Sequence, residues 1–364
     1  MSADSKVLNH NSFISPFWDF VFVGGLTFLL LPILTLFKYD VHVIVVLGLV
    51  MYGLAFFINN PHFMYSYQIL YSDYRRKIGA ENNLVSRMRY IFSGIVVPIL
   101  LLGFYAVAYV QGLEDQSPRV LGYAVNGMLF LVGWHYVKQG YGVLITLSVK
   151  KKIFYGEWEK KVLLYNGYVL WIATWILLNQ SWVDLNGGQR FFFGLPFMAI
   201  DFQFSEAWLS AVAVLSFALA SFIFLMRAHK GTLAINGWVG YFCALYAWRA
   251  LIIDNYAWVL VVPALHSLQY LLFIGKLSFE KRRGAGSDGR SPGWLSFLAF
   301  GGVLGVLGFW SVPVALDNIV PYNQDVFGSG MFLVMFILFI NIHHYFIDFA
   351  IWRKDNPEMK FLYQ

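Results

Sequence analysis

Ten apolar runs divide the chain, at roughly 17–37, 41–72, 90–111, 120–148, 162–180, 206–226, 232–248, 256–275, 294–313 and 328–352. Each is long enough to cross about 30 Å of hydrocarbon as a helix. Backbone polar groups in lipid must be satisfied within the segment, so such runs read as helices. The pattern predicts an all-α, polytopic integral membrane protein: a single domain over 1–364, built as a bundle of about ten transmembrane helices. The stretch 280–293, EKRRGAGSDGRSPG, is expected to be a flexible cytoplasmic linker within it. The other long connection, 181–205, contains WVDLNGGQRFFFGLPF, whose aromatics are expected at headgroup level. Asn59-Asn60-Pro61 should interrupt the second run, because proline removes a backbone donor and restricts the residue before it. Pro263 is expected to kink the eighth.

Composition agrees. Of the 364 residues 59% are hydrophobic and only 13% charged, against about 25% charged in soluble domains. The first apolar run contains Asp19 and no small-residue cleavage site follows it, so it is expected to be retained as a span. Charge fixes the expected orientation. With the N-terminus inside, all but five of the 26 lysines and arginines fall in inside segments; the five are Lys38, Arg119, Lys138, Arg190 and Arg249. The positive-inside rule therefore selects N-in, C-in, in a cell's inner (cytoplasmic) membrane. The basic loops read as anchors on anionic membrane lipids, and no nucleic-acid partner is expected.

Five of the eight histidines change the picture further. His62, His135, His266, His343 and His344 lie within apolar runs two, four, eight and ten. Counted forward to the first inside cation, they sit 9 to 15 residues deep, or roughly 14 to 23 Å at helical rise. An imidazole in hydrocarbon loses its hydration and needs a metal, a partner or a wet cavity in compensation. Run six has the same direction and no histidine, so direction alone does not produce the layer.

Each histidine also has a polar neighbour one turn away on the same face: Tyr65 after His62, Lys138 and Gln139 after His135, Gln269 and Tyr270 after His266, and Asn341 and Asp348 around His344. The expected metal ligands are His62, His135, His266, His343, His344 and Asp348. Asp19 is a further carboxylate that could reach the layer, and His344 ranks above His343 because it shares a face with Asp348. Gln139, Gln269 and Asn341 are expected to orient the imidazoles. Lys138, Tyr65 and Tyr270 are the expected catalytic groups, and Lys138 needs Asp348 or Asp19 as counter-ion. More tyrosines (Tyr67, Tyr136, Tyr141, Tyr345) cluster nearby, and Gly133, Gly140 and Gly142 permit a close helix neighbour or ligand. His10, His42 and His229 are expected to face solvent, and the single Cys243 to be a small core residue.

An imidazole-rich set without thiolate suits iron first, then copper, then zinc, and excludes calcium and magnesium. Paired Glu-x-x-His, the histidine boxes of membrane desaturases, HExxH, phosphate loops and nucleophile elbows are absent. In general terms the arrangement resembles polyhistidine membrane oxygenases, including carotenoid-cleaving ones, without a motif that names a family. The expected function is that of a metal-dependent oxidoreductase, oxygenase- or desaturase-like, acting on a lipid-soluble substrate and drawing on an electron donor. The alternatives are a haem-binding electron-transfer protein and a proton-coupled transporter using Lys138 and Asp348.

Overall fold

The computed structural model describes residues 12–37, 40–79, 83–183, 191–254, 261–284, 294–353 and 355–363. The long helices are α1 (16–36), α2 (Val41–Ala55), α3 (Asn59–Tyr71), α4 (84–115), α5 (Arg119–Lys150) and α6 (Glu157–Val183). They continue as α7 (Glu206–His229), α8 (235–254), α9 (Val261–Gly284), α10 (294–319) and α11 (Met331–Ile351). Among the described residues the only strands are β1 (Phe191–Phe192) and β2 (Leu195–Pro196), a short antiparallel ladder.

The structure is thus a helical bundle, and among the described residues eight helical passages, α2 and α3 together making one, are long and apolar enough to cross a membrane. Passages α8 and α9 fall outside that set; α9 carries His266, Ser267, Gln269 and Lys276, which lower its hydropathy. The break in the second apolar run is real but lies earlier than Pro61. Residues 56–58 form the turn, α3 starts at Asn59, and Pro61 occupies its first turn, where a missing N–H costs nothing. Pro263 falls in the first described turn of α9, and the turn before it, where a proline kink would form, lies outside the described residues. Residues 280–284 are helical rather than linker, with Glu280 buried and paired to Lys276 at 2.5 Å; 285–293 lie outside the described residues.

Among the described residues three passages contain a π turn, at Phe92–Val96, Cys243–Ala247 and Leu307–Ser311, and α1 is kinked at Gly24, whose φ of 153° is not helical. Such a turn or kink disturbs the i to i−4 ladder and leaves carbonyls for other donors. In α1, Val23 O accepts from Gln269 Nε2 at 2.6 Å and Gly24 O from Cys243 Sγ at 3.2 Å. In α4, Ser93 O accepts from His343 Nε2 at 2.9 Å and Gly94 O from the Tyr71 hydroxyl at 2.8 Å. These bonds stitch α1 to α8 and α9, and α4 to α3 and α11, in place of the weak hydrophobic drive that helices feel within lipid.

At the far end from the termini, Asn126 and Asn179 bond to each other at 2.6 Å and hold the hairpin segment through Met198 O and the Ile200 N–H. Phe192, Leu195 and Phe197 are buried under it, so only part of this aromatic segment, Phe191 and Phe193, faces outward as expected. Asp317 caps the start of α11, accepting from the N–H groups of Phe332 and Leu333 at 2.7 and 3.1 Å. At the terminal end, Arg89 binds Asp355 through both guanidinium nitrogens, and Lys281 meets Glu358 at 2.9 Å.

Helices α5 and α8 cross closely. A Cβ placed on Gly140 would lie 2.7 Å from the Ala244 Cβ, and one on Gly237 would lie 3.1 Å from Leu144 O. Gly142 has open space, so the expected role in close approach holds for Gly140 and not for Gly142. Gly237→Val should therefore separate these helices at a cost of about 1–3 kcal/mol, read as a lowered midpoint of thermal unfolding in detergent. Gly142→Ala should leave the midpoint in place.

Candidate metal centre

Four of the five expected histidines converge. His62 on α3, His135 on α5, His266 on α9 and His344 on α11 are all under 5% exposed. Their rings meet edge to face, with centroids 4.9 Å apart for His135 and His266, and 5.0 Å for His344 with both His62 and His135. Asp348, one turn beyond His344, turns Oδ2 to the same point, 3.5 Å from His344 Nε2 and 3.8 Å from His135 Nε2. The Nε2 atoms of His135 and His266 lie 3.2 Å apart. Neighbouring ligands on one ion with bonds of about 2.0–2.2 Å lie about 3.0–3.5 Å apart. The 3.2 and 3.5 Å spacings fall in that range, and the 3.8 Å spacing lies just beyond it.

The hydrogen bonds settle which nitrogen of two rings is aimed inward. His62 Nδ1 faces the carbonyl of Asn59 at 2.5 Å and the hydroxyl of Ser267 at 2.9 Å. A carbonyl only accepts, so Nδ1 carries the proton and Nε2 keeps its lone pair. For His344, the Ser66 hydroxyl donates to Phe63 O at 2.6 Å and therefore accepts from Nδ1 at 2.8 Å. Its Nε2 is likewise a lone-pair donor. His62 Nε2, His344 Nε2 and His266 Nδ1 are buried with no hydrogen-bond partner. Each such orphan costs about 1–3 kcal/mol. Donor atoms of His62, His266 and His344, and of His135, His344 and Asp348, fall within 4.8 Å of one another. The cluster could hold a metal, and its imidazoles plus one carboxylate fit iron, copper or zinc. Cys243 is remote from it, bonded to α1 as a small core residue.

His343 departs from the expected set. It lies on the other side of α11, where Nε2 donates to Ser93 O and Nδ1 accepts from the Tyr67 hydroxyl at 2.8 Å. Both nitrogens are used, and the residue ties α11 to α3 and α4. The expected amides also do other work. Gln139 donates to His266 O and to Gln269 Oε1, Gln269 to Val23 O, and Asn341 to Ile337 O while accepting from Tyr345. The residues that orient the imidazoles are Ser66, Ser267 and the Asn59 backbone. Ser66 follows His62 by four and Ser267 adjoins His266, so sequence spacing alone sets both hydroxyls at the histidine layer.

Tyr270 reaches the centre, donating to Asp348 Oδ1 at 2.9 Å. Tyr65 does not: it stacks on Phe297 and points to Leu298 O on α10. Among the described residues Lys138 forms no ion pair, so neither expected counter-ion serves it. Asp348 is engaged by Tyr270, and Asp19 accepts from the N–H groups of Phe13 and Ile14 at 2.7 and 3.0 Å, closing the chain over α1. Tyr136 and Tyr345 stand against His266 and His135 with centroids 4.5 and 4.7 Å away. His42 and His229 are exposed as expected, and His10 lies outside the described residues.

A cavity of about 280 Å³ opens onto His62 and His266. Its walls are mostly aromatic and aliphatic, with Phe63, Tyr136, Trp171 and Trp248 among them. Gly133 permits this, since a Cβ there would collide with the Trp171 indole.

The serine contacts generate a test. Ser66→Ala and Ser267→Ala should each weaken metal affinity by about 10–100-fold, the usual effect of removing a residue that orients a ligand, measured by competition with a chelator. His343→Ala should lower thermal stability but retain a full complement of metal by elemental analysis. Loss of metal in His343→Ala, in protein that remains folded, would contradict this division of roles. No protein-family model, curated protein or solved structure matches this chain, and the centre stands on its own geometry.

Proposed function

We propose that the protein is a metal-dependent membrane oxidoreductase, of oxygenase or desaturase type, that acts on a lipophilic substrate drawn from the bilayer. The observation that carries this reading is the convergence of four buried imidazoles and Asp348, with His62 Nε2 and His344 Nε2 left partnerless, beside an apolar cavity that His62 and His266 line. His62, His135, His266 and His344 with Asp348 would hold the ion, proposed as iron. Bound there, iron would supply one-electron chemistry and activation of dioxygen.

The chain's own residues do the rest. Ser267 and Asn59 fix His62, and Ser66 fixes His344, so two ligands are held in their binding tautomers in advance. Tyr270 holds its proton on Asp348 Oδ1, which leaves Oδ2 as the oxygen turned to the imidazoles. The cavity's apolar walls keep water from the reacting groups, and Tyr136 and Tyr345 brace the rings of His266 and His135. The bundle is proposed to make ten crossings of a cytoplasmic membrane, N-in and C-in, with Arg89, Lys281 and their partners at the inner surface. An electron donor from the same membrane would complete the cycle.

The other readings draw less support. A haem would separate its two axial imidazoles by a macrocycle, whereas His135 and His266 touch through their Nε2 atoms. A proton-coupled pair of Lys138 and Asp348 is not assembled.

Protein purified in detergent without chelators should contain near-stoichiometric iron and show no Soret band. His135→Ala and His344→Ala should each lose most of the metal while running as monodisperse species. A wild type that takes up neither iron, copper nor zinc on reconstitution would overturn the reading.

A further inference from the structure

The cavity that ends on His62 and His266 is lined elsewhere by Arg249, the only lysine, arginine, aspartate or glutamate among its lining residues. Arg249 lies on α8, thirteen residues after Asn236, which bonds to Pro16 O at the terminal end of the bundle. At helical rise that is about 20 Å towards the far end. Its Nε donates to Thr174 Oγ1 on α6 at 3.0 Å, and the Thr174 hydroxyl donates in turn to Leu170 O at 2.7 Å. The guanidinium is thereby held in one direction. Among the described residues no carboxylate pairs with it, and no further contact of its other nitrogens is left unstated. Trp171, Trp175, Trp248 and Phe192 line the same cavity.

A guanidinium facing an apolar space is poorly compensated unless an anion meets it. Its planar fork matches the two oxygens of a carboxylate. One cation balances one carboxylate, whereas a phosphate monoester carries more charge than this wall offers. Resting on the oxidoreductase reading above, we infer that the substrate is a single-chain carboxylate amphiphile. Its headgroup is held by Arg249, and its hydrocarbon lies in the cavity towards His62 and His266. Arg249 is then a specificity residue: it selects an acid over a neutral lipid and sets which carbon of the chain reaches the imidazoles.

The test uses full-length protein in nanodiscs of zwitterionic lipid and a scintillation-proximity assay with radiolabelled oleate. Unlabelled oleate should displace the label at least about tenfold better than methyl oleate, a difference of about 1.4 kcal/mol. Arg249→Gln should abolish that preference with its metal content unchanged, and Arg249→Lys should restore part of it. Thr174→Val, which frees the guanidinium without removing it, should weaken the preference and guards against a misfolded Arg249 variant. Equal displacement by acid and ester, a preference that survives Arg249→Gln, or no saturable oleate binding at all overturns the inference. Metal content is read on the same samples. Selective oleate binding by metal-free protein would leave the carboxylate site standing and bring down the oxidoreductase reading instead.

Discussion

Everything at the centre of this bundle follows from placing four imidazoles and a carboxylate where water is excluded. His62, His135, His266, His344 and Asp348 come from four helices, and none exceeds 6% exposure. A buried polar atom without a partner costs about 1–3 kcal/mol, and three ring nitrogens here lack one. A fold that needed only packing would have filled these positions with leucine. The unfavourable terms at His62 Nε2 and His344 Nε2 make sense when those lone pairs share an electrophile, and the 3.2 and 3.5 Å separations within the cluster suit ligands on one ion.

The surrounding helices are arranged to keep those lone pairs aimed. The turn at 56–58 restarts the helix at Asn59, and the Asn59 carbonyl accepts from His62 Nδ1–H, which keeps the proton on that nitrogen. Ser66 and Ser267 spend their own protons on backbone carbonyls of their own helices, which leaves each oxygen free to accept from an imidazole. The kink at Gly24 and the π turn of α4 act at longer range: carbonyls there tie α1 to α9, and α4 to α11 through His343. His343 and His344 are adjacent in sequence but point to different sides of α11. One histidine therefore joins the centre while the other fastens the helix that carries it.

Much of this was legible in the sequence because the rules involved are local. Apolar run length marks the helices, and counting from the inside cations places the histidines in one layer. The i, i+4 relation puts His344 and Asp348 on one face. What the sequence hides is which way a helix is rotated against its neighbours. His343 and Tyr65 satisfy the same depth and spacing criteria as the residues at the centre, but their faces turn to α4 and α10. Gln139 and Gln269 have the right spacing to orient imidazoles, yet each amide finds a carbonyl closer by. Lys138 looks like half of a buried ion pair only until Asp348 is seen bonded to Tyr270. Asp19 likewise turns back on its own chain and caps residues 13 and 14.

The most direct test of the account is X-ray absorption at the metal edge of the detergent-purified, reconstituted protein. The account predicts a first shell of nitrogen and oxygen at about 2.0–2.2 Å, without sulfur. It also predicts the outer-shell scattering pattern of several imidazoles, diminished in His62→Ala but not in His343→Ala. A shell of oxygen alone, or an imidazole pattern that His62→Ala leaves untouched, would contradict it.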